Sequence, residues 1–163
     1  MSNNALISYL GENKPDLITE ITNYLTNKGG DFSGVTFATL GRGCELTMVY
    51  EKTDDVNYDE LEIGLKGLNS CKDGEMTVKP FELSTEGGPT SKITHRVILS
   101  GKDQKGILNK IISTLDKNSA IIVRMNTEKI SYPEHTQYFC RFAISVRDEY
   151  APQCLSEIVK VAG

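Results

Sequence analysis

The sequence is poor in the residues from which metal sites and disulfide frameworks are built. It has no tryptophan, two histidines and four cysteines in 163 residues. The cysteines form no CxxC pair, and neither histidine stands at a zinc-type spacing from them. We therefore predict reduced structural thiols, no metal and no cofactor. The residues concerned are Cys44, Cys71, Cys140, Cys154, His95 and His135.

Catalytic and membrane motifs are also absent from the sequence. His95 and His135 have no acidic or cysteine neighbour that recurs in both halves, and Gly41-Arg42-Gly43 is too short for a nucleotide loop. No stretch approaches the roughly 20 apolar residues of a membrane span. Residues 1–10 lack the positive start of a secretory signal. The sequence thus predicts a non-catalytic, cytoplasmic protein.

The charge is mildly acidic and unevenly divided between the two halves. The net charge is −4; residues 1–83 contain 7 Lys/Arg and 14 Asp/Glu, whereas residues 84–163 contain 11 and 8. A nucleic-acid surface is usually markedly basic, so direct nucleic-acid binding is not expected. An RNA-recognition motif would share the strand and helix order predicted below. It is the least favoured alternative, because alternation places Phe142 in the core rather than on an RNA-binding face.

What the sequence does contain is a repeat at an offset of ninety positions. Residues 11–18 and 101–108 both place a polar glycine turn between a strand and an amphipathic helix. The apolar positions of the two helices also match at this offset. They are Leu17, Ile18, Ile21 and Leu25 in the first copy and Ile107, Leu108, Ile111 and Leu115 in the second. The repeat indicates a duplicated domain.

Hydrophobic periodicity predicts the order βαββαβ in the first half and the same order without the last strand in the second. The predicted strands are 5–10, 32–40, 44–51 and 75–83, then 93–100, 120–130 and 137–146. The predicted helices are 15–28 and 58–68, then 105–118 and a segment around 155–162. The fold class is α+β, with two ferredoxin-like units whose antiparallel sheets have their helices on one face.

The predicted domains are residues 1–83 and 93–163, joined by a polar, glycine-containing linker over 84–92. Because the second domain lacks a closing strand, the strand over 93–100 should have an exposed edge. Such edges invite pairing with another chain. We expect the linker, the other half or a second subunit to cover it, which makes a homo-oligomer an expected state.

The turn Gly101-x-Asp103-x-x-Gly106, between a strand and a helix in a unit of about eighty residues, resembles the ACT domain. Two such units in tandem resemble the glycine cleavage system transcriptional repressor family. The strand end at residues 37–41 and the longer second hairpin at Pro133-Glu134 also fit that group. The resemblance implies small regulatory units of amino-acid metabolism and binding of an amino acid or similar metabolite.

The second turn is the stronger candidate for a ligand site. Glycine lets a ligand approach the backbone, the helix N-terminus favours a carboxylate, and an acidic side chain can accept from an ammonium group. The first turn has lost the acidic residue and the last glycine. In ACT domains the segment after the first helix of a neighbouring domain often completes the site, so the resemblance implies a shared site of Asp103 and Asp31. The candidate ligand residues are Gly101, Asp103, Gly106, Ile107, Asp31, Gly11 and Asn13.

These observations predict a regulator that senses an amino acid or similar metabolite and acts through a protein partner of the regulated pathway, for example in transcription. One alternative is a pure protein-interaction module that binds no ligand, which the altered first turn favours. The residues around each turn leave a second alternative open. Gly101 and Gly106 would then serve the turn alone, and Asp103 would cap the helix that follows.

Overall fold

The computed structural model describes residues 3–86 and 92–163. The chain divides into two compact units, Met1–Thr85 and Glu86–Gly163. The predicted linker, residues 84–92, falls largely on residues 87–91, which lie outside the described residues. No helix among the described residues is long and apolar enough to cross a membrane.

The first unit is a four-stranded antiparallel sheet with two helices. The elements are β1 (Asn4–Glu12), α1 (Leu17–Asn27), β2 (Asp31–Leu40), β3 (Gly43–Glu51), α2 (Tyr58–Lys66) and β4 (Glu75–Pro80). A short 3-10 helix, Asn69–Cys71, precedes β4. The strand order is β2-β3-β1-β4, which is the ferredoxin-like order for a βαββαβ chain.

The core of this unit lies between one face of the sheet and the two helices. Ala5, Ile7 and Tyr9 alternate along β1 and are all buried, because successive strand residues point to opposite faces. Leu17 and Leu25 lie on the buried side of α1, together with Ile21. The strand and helix residues form one apolar cluster, so both helices cover the same face, as predicted.

The second unit repeats this arrangement, and its apolar cluster again joins the sheet to both helices. Its described elements are β5 (His95–Lys102), α3 (Ile107–Lys117), β6 (Ile121–Ser131), β7 (Thr136–Ser145) and α4 (Ala151–Ala162). The described strands form a three-stranded sheet in the order β5-β7-β6. The α+β class and this sheet confirm the predicted fold class.

Most element bounds differ from the prediction by a few residues, as the start of α4 at Ala151 does, and three of the differences have a clear physical reason. Helix α1 begins at Leu17 rather than Pro15, because Pro15 and Asp16 form the turn that precedes the helix. Strand β4 ends at Pro80, since proline cannot donate a ladder hydrogen bond and favours strand ends. Strand β5 starts two residues later and extends to Lys102, because it stays paired with β7 as far as Gln137.

Candidate ligand-binding site

The second turn joins β5 to α3 and has an exposed glycine at the helix start. Gly106 is the N-cap of α3 and has φ of 81°, in the left-handed region that glycine tolerates best. Its carbonyl accepts a hydrogen bond from the Lys110 N–H at 3.1 Å. The N–H groups of Leu108 and Asn109 have no acceptor among the described residues. The helix therefore offers backbone donors at its N-terminus.

Asp103 does not cap this helix; it forms an ion pair with a residue of β6. The Lys129 Nζ lies 2.7 Å from the Asp103 Oδ2, and the Asp103 side chain is 30% exposed. The hydrogen bond from Lys129 to Asp103 raises the pKa of the lysine. The Lys129 ammonium also lies 5.9 Å from the centre of the Tyr138 ring. One carboxylate and one ammonium thus stand together beside the turn.

Sequence reasoning missed Lys129, and no local signal marked it. Its position depends on the register of β6 against β7, which places Lys129 opposite Tyr138. The turn between β6 and β7, residues 132–135, is longer than the turn between β2 and β3, residues 41–42. The β6–β7 hairpin also holds the backbone of Asp103, because the Asp103 N–H donates a hydrogen bond to the Thr136 carbonyl at 3.1 Å.

The two glycines that start the repeated turns have different surroundings. A Cβ built on Gly101 meets no atom within 4 Å. A Cβ on Gly11 would lie 2.5 Å from the Tyr9 Oη and 2.9 Å from the Gly74 Cα. Gly11 is therefore required by close packing, whereas the backbone at Gly101 is open to an approaching molecule.

An ion pair also connects the first turn to the segment that precedes β4. The Lys14 Nζ lies 3.0 Å from the Asp73 Oδ2, and this hydrogen bond raises the pKa of Lys14. Asn13 is exposed. Asp16 is the N-cap of α1 but makes no capping hydrogen bond with its side chain. The first turn is thus held against the segment that leads into β4, in contrast to the second turn.

A cavity of about 20 Å³ lies under the second turn. Its lining includes Gly101, Gln104 and Ile107 of the turn, together with Leu99 and Tyr138. A volume of this size has room for about one water molecule. The cavity is therefore too small to hold an amino acid.

Asp31 lies in the first unit, at the start of β2. Its Oδ1 accepts a hydrogen bond from the Phe32 N–H at 2.8 Å. It lines an open groove of about 710 Å³ with Gly30, Glu51 and Lys52 among the other lining residues. A Cβ on Gly30 would lie 2.2 Å from the Tyr50 ring. The structure thus places Asp31 in a polar surface groove of its own unit.

The four cysteines are buried free thiols. Burial raises the pKa of all four thiol groups. Such thiols are weak nucleophiles near neutral pH, because the thiolate is the reactive form. Among the described residues, no group of three or more His, Cys, Asp and Glu side chains could hold a metal ion.

Comparison with known proteins supports the fold. No family model matches the chain, and no curated protein matches it. An unknown protein from Galdieria sulphuraria superposes with a TM-score of 0.74 at 15% identity, covering 99% of this chain and 92% of that one. A candidate glycine cleavage system transcriptional repressor superposes with a TM-score of 0.67 at 17% identity, covering 97% of this chain and 89% of that one. The chain therefore has a tandem ACT-like fold.

Proposed function

We propose that this chain is a non-catalytic regulatory protein that acts in the cytoplasm, binds an amino acid or a similar small metabolite, and passes the bound state to a protein partner. The second turn provides the ligand site in this proposal. The observation that supports it is the open backbone at Gly101 and Gly106 beside the Asp103–Lys129 pair. The solved repressor candidate with the same fold supports the regulatory class.

The site has one group for each charge of an amino acid. The free N–H groups of Leu108 and Asn109 and the helix dipole favour a carboxylate. The ligand ammonium takes the place of Lys129 on Asp103, and the released Lys129 pairs with the ligand carboxylate. This exchange keeps each charge partnered, so it avoids the penalty of leaving a charge unpaired.

A ligand acts as a signal if it binds two states of the protein unequally. The ion pair between Asp103 and Lys129 joins the turn to the β6–β7 hairpin. Ligand exchange at Asp103 changes that link, so the hairpin is the element whose position would report the bound state. A protein partner that contacts the hairpin would then sense the ligand.

The main alternative is a protein-interaction module without a ligand. The first turn favours it, because the close packing around Gly11 and the Lys14–Asp73 pair leave that turn closed. In this alternative the Asp103–Lys129 pair is a permanent structural link. The shared site predicted for Asp31 and Asp103 stays a prediction, and Asp31→Ala tests it in the same assay.

The experiment is a thermal-shift screen of the twenty amino acids, glycine first, against the purified chain. A ligand that binds only the folded protein raises the melting temperature, because it adds RT ln(1 + [L]/Kd) to the free energy of unfolding. Asp103→Ala removes the proposed ammonium partner, and Asn13→Ala is the matched control at the equivalent position of the first turn. We expect one amino acid to shift the wild type and Asn13→Ala but not Asp103→Ala. No shift with any of the twenty would refute an amino-acid ligand and favour the interaction module.

A further inference from the structure

The helices of each unit cover one face of its sheet, which leaves the other face free of the described helices. Leu10 of β1 lies on this free face of the first unit, because the adjacent Tyr9 points into the core. Leu10 is 49% exposed and lies directly opposite Glu45 of β3 and Glu75 of β4. Residues that are directly opposite share a face of the sheet. Glu45, Leu10 and Glu75 therefore form one row, which we call the acidic face.

The free face of the second unit carries a row of the opposite charge. Ala143 of β7 lies on this face, because the adjacent Phe142 and Ile144 belong to the core. Ala143 lies directly opposite Arg96 of β5 and Arg124 of β6, and both arginines are exposed. We call the row of Arg96, Ala143 and Arg124 the basic face.

The two glutamates and two arginines of these rows have no ion-pair partner among the described residues. Arg141, which is also on the free face of the second unit, is by contrast paired with Glu128 at 2.7 Å. The charges of the two rows can therefore pair with a partner without breaking an existing ion pair. Arginine is well suited to such pairing, because its guanidinium group can bind a carboxylate through two parallel hydrogen bonds.

The acidic face and the basic face have matching dimensions. In each row the charged residues lie on two strands that flank one central strand. Neighbouring strands are about 4.8 Å apart, so the two charged positions are about 10 Å apart in both rows. A face-to-face contact between the sheets can therefore set each glutamate against one arginine at the same time. Leu10 would then lie over Ala143, which is 5% exposed and has a small side chain between two long ones.

The basic face belongs to one copy of the repeat only. At the offset of ninety positions, Arg96 and Arg124 correspond to Leu6 and Gly34 of the first unit. One chain therefore carries one acidic face and one basic face. Two chains that make the same contact twice, once with each pair of faces, would form a closed dimer.

We propose that the acidic face of one copy of this chain packs on the basic face of a second copy, with Glu45 and Glu75 paired to Arg96 and Arg124. Charge complementarity favours a second copy as the occupant, because the chain itself presents the matching row of opposite charge at the same spacing. Exposed ion pairs contribute little by themselves. The contact also removes Leu10 from water, which adds a hydrophobic contribution to the electrostatic one.

The first test is the oligomeric state of the full chain, measured by sedimentation over about 1–100 µM. We expect the wild type to associate. Arg96→Glu/Arg124→Glu should raise the dissociation constant at least about tenfold, because carboxylates then face carboxylates. Lys110→Glu/Lys160→Glu is the matched control, since it changes the net charge equally at exposed positions of α3 and α4. A wild type that stays monomeric, or two variants with equal dissociation constants, overturns the proposal.

Exchanging the charges of the two faces tests whether these faces meet each other. Glu45→Arg/Glu75→Arg should associate as weakly as Arg96→Glu/Arg124→Glu, because arginines then face arginines. A chain with all four substitutions has the net charge of the wild type and again opposes unlike charges, so it should recover most of the lost affinity. Circular dichroism checks that each variant is folded. A folded fourfold variant that associates no better than the two double variants also overturns the proposal.

Discussion

Gly11 and Gly101 occupy equivalent positions in the repeat, and we expect them to respond in opposite ways to one added methyl group. In Gly11→Ala the new Cβ would lie 2.5 Å from the Tyr9 Oη and 2.9 Å from the Gly74 Cα. Tyr9 is 2% exposed, so its ring has little room to move, and the second contact is with backbone. In Gly101→Ala the new Cβ meets no atom within 4 Å.

The magnitude follows from these contacts. Overpacking of a well-packed core typically costs about 1–3 kcal/mol. A displaced Tyr9 would also weaken the hydrogen bonds from its hydroxyl to the carbonyls of Glu12 and Ser70, both at 3.4 Å. We expect Gly11→Ala to lower the free energy of unfolding by about 2 kcal/mol. Gly101 has no positive φ, so Gly101→Ala should be neutral or stabilising by about 0.4–1 kcal/mol.

Urea unfolding followed by circular dichroism measures both values. The two units are fitted as separate transitions if they unfold separately, because a single free energy would then be undefined. A loss of 2 kcal/mol in a unit of this size corresponds to a fall of about 8–16 °C in melting temperature. Equal stability of Gly11→Ala and the wild type, or an equal loss in the two variants, would refute the packing argument.

Three further changes test other parts of the structure. Gly106→Ala should destabilise the protein by about 1–2 kcal/mol, because φ of 81° disfavours a side chain; a cost no larger than that of Gly101→Ala in the same urea titration would contradict this. Hydrogen bonds from Ser70 hold the pKa of Glu20 below its usual value. A carboxyl group with a lowered pKa stabilises the folded protein at pH values above its unfolded pKa. This stabilisation is lost as the pH falls through the folded pKa. Acidification from about pH 7 to pH 3 should therefore lower the urea midpoint less in Glu20→Gln than in the wild type, and parallel curves would be the opposing result. Lys129→Met should change the free energy of unfolding by less than about 1 kcal/mol, since the ion pair is partly exposed. The same variant should bind the amino acid more weakly when the affinity is measured by calorimetry. An unchanged affinity would show that Lys129 is not part of the site.

Much of the fold could be predicted from the sequence because the signals that specify it are local. Alternation in Leu46, Met48 and Tyr50 identified β3, and these residues are all buried. Helical spacing from Leu155 onward identified α4 but missed its first turn, which begins at Ala151 with a proline near its start. Three strands were also predicted for the second unit, and three are found among its described residues.

The candidate site could be predicted in part. Gly106 was singled out from the turn pattern, and the structure shows the left-handed conformation that makes glycine suitable there. The partner of Asp103 could not be predicted, because Lys129 is 26 positions away and reaches it through strand register. A short motif fixes residue types along the chain but not the side chains brought to it from other elements.

The sequence by itself determined the duplication, the strand and helix order and the position of both turns, because these follow from periodicity and from the conformational demands of glycine. The tertiary structure alone decided how the surroundings of the two turns differ. It packs Gly11 against Tyr9 and Gly74 but leaves Gly101 open, and it joins Asp103 to Lys129. The physical reason is that packing and ion pairing depend on distances between elements far apart in sequence, so two turns of similar sequence acquire different surroundings.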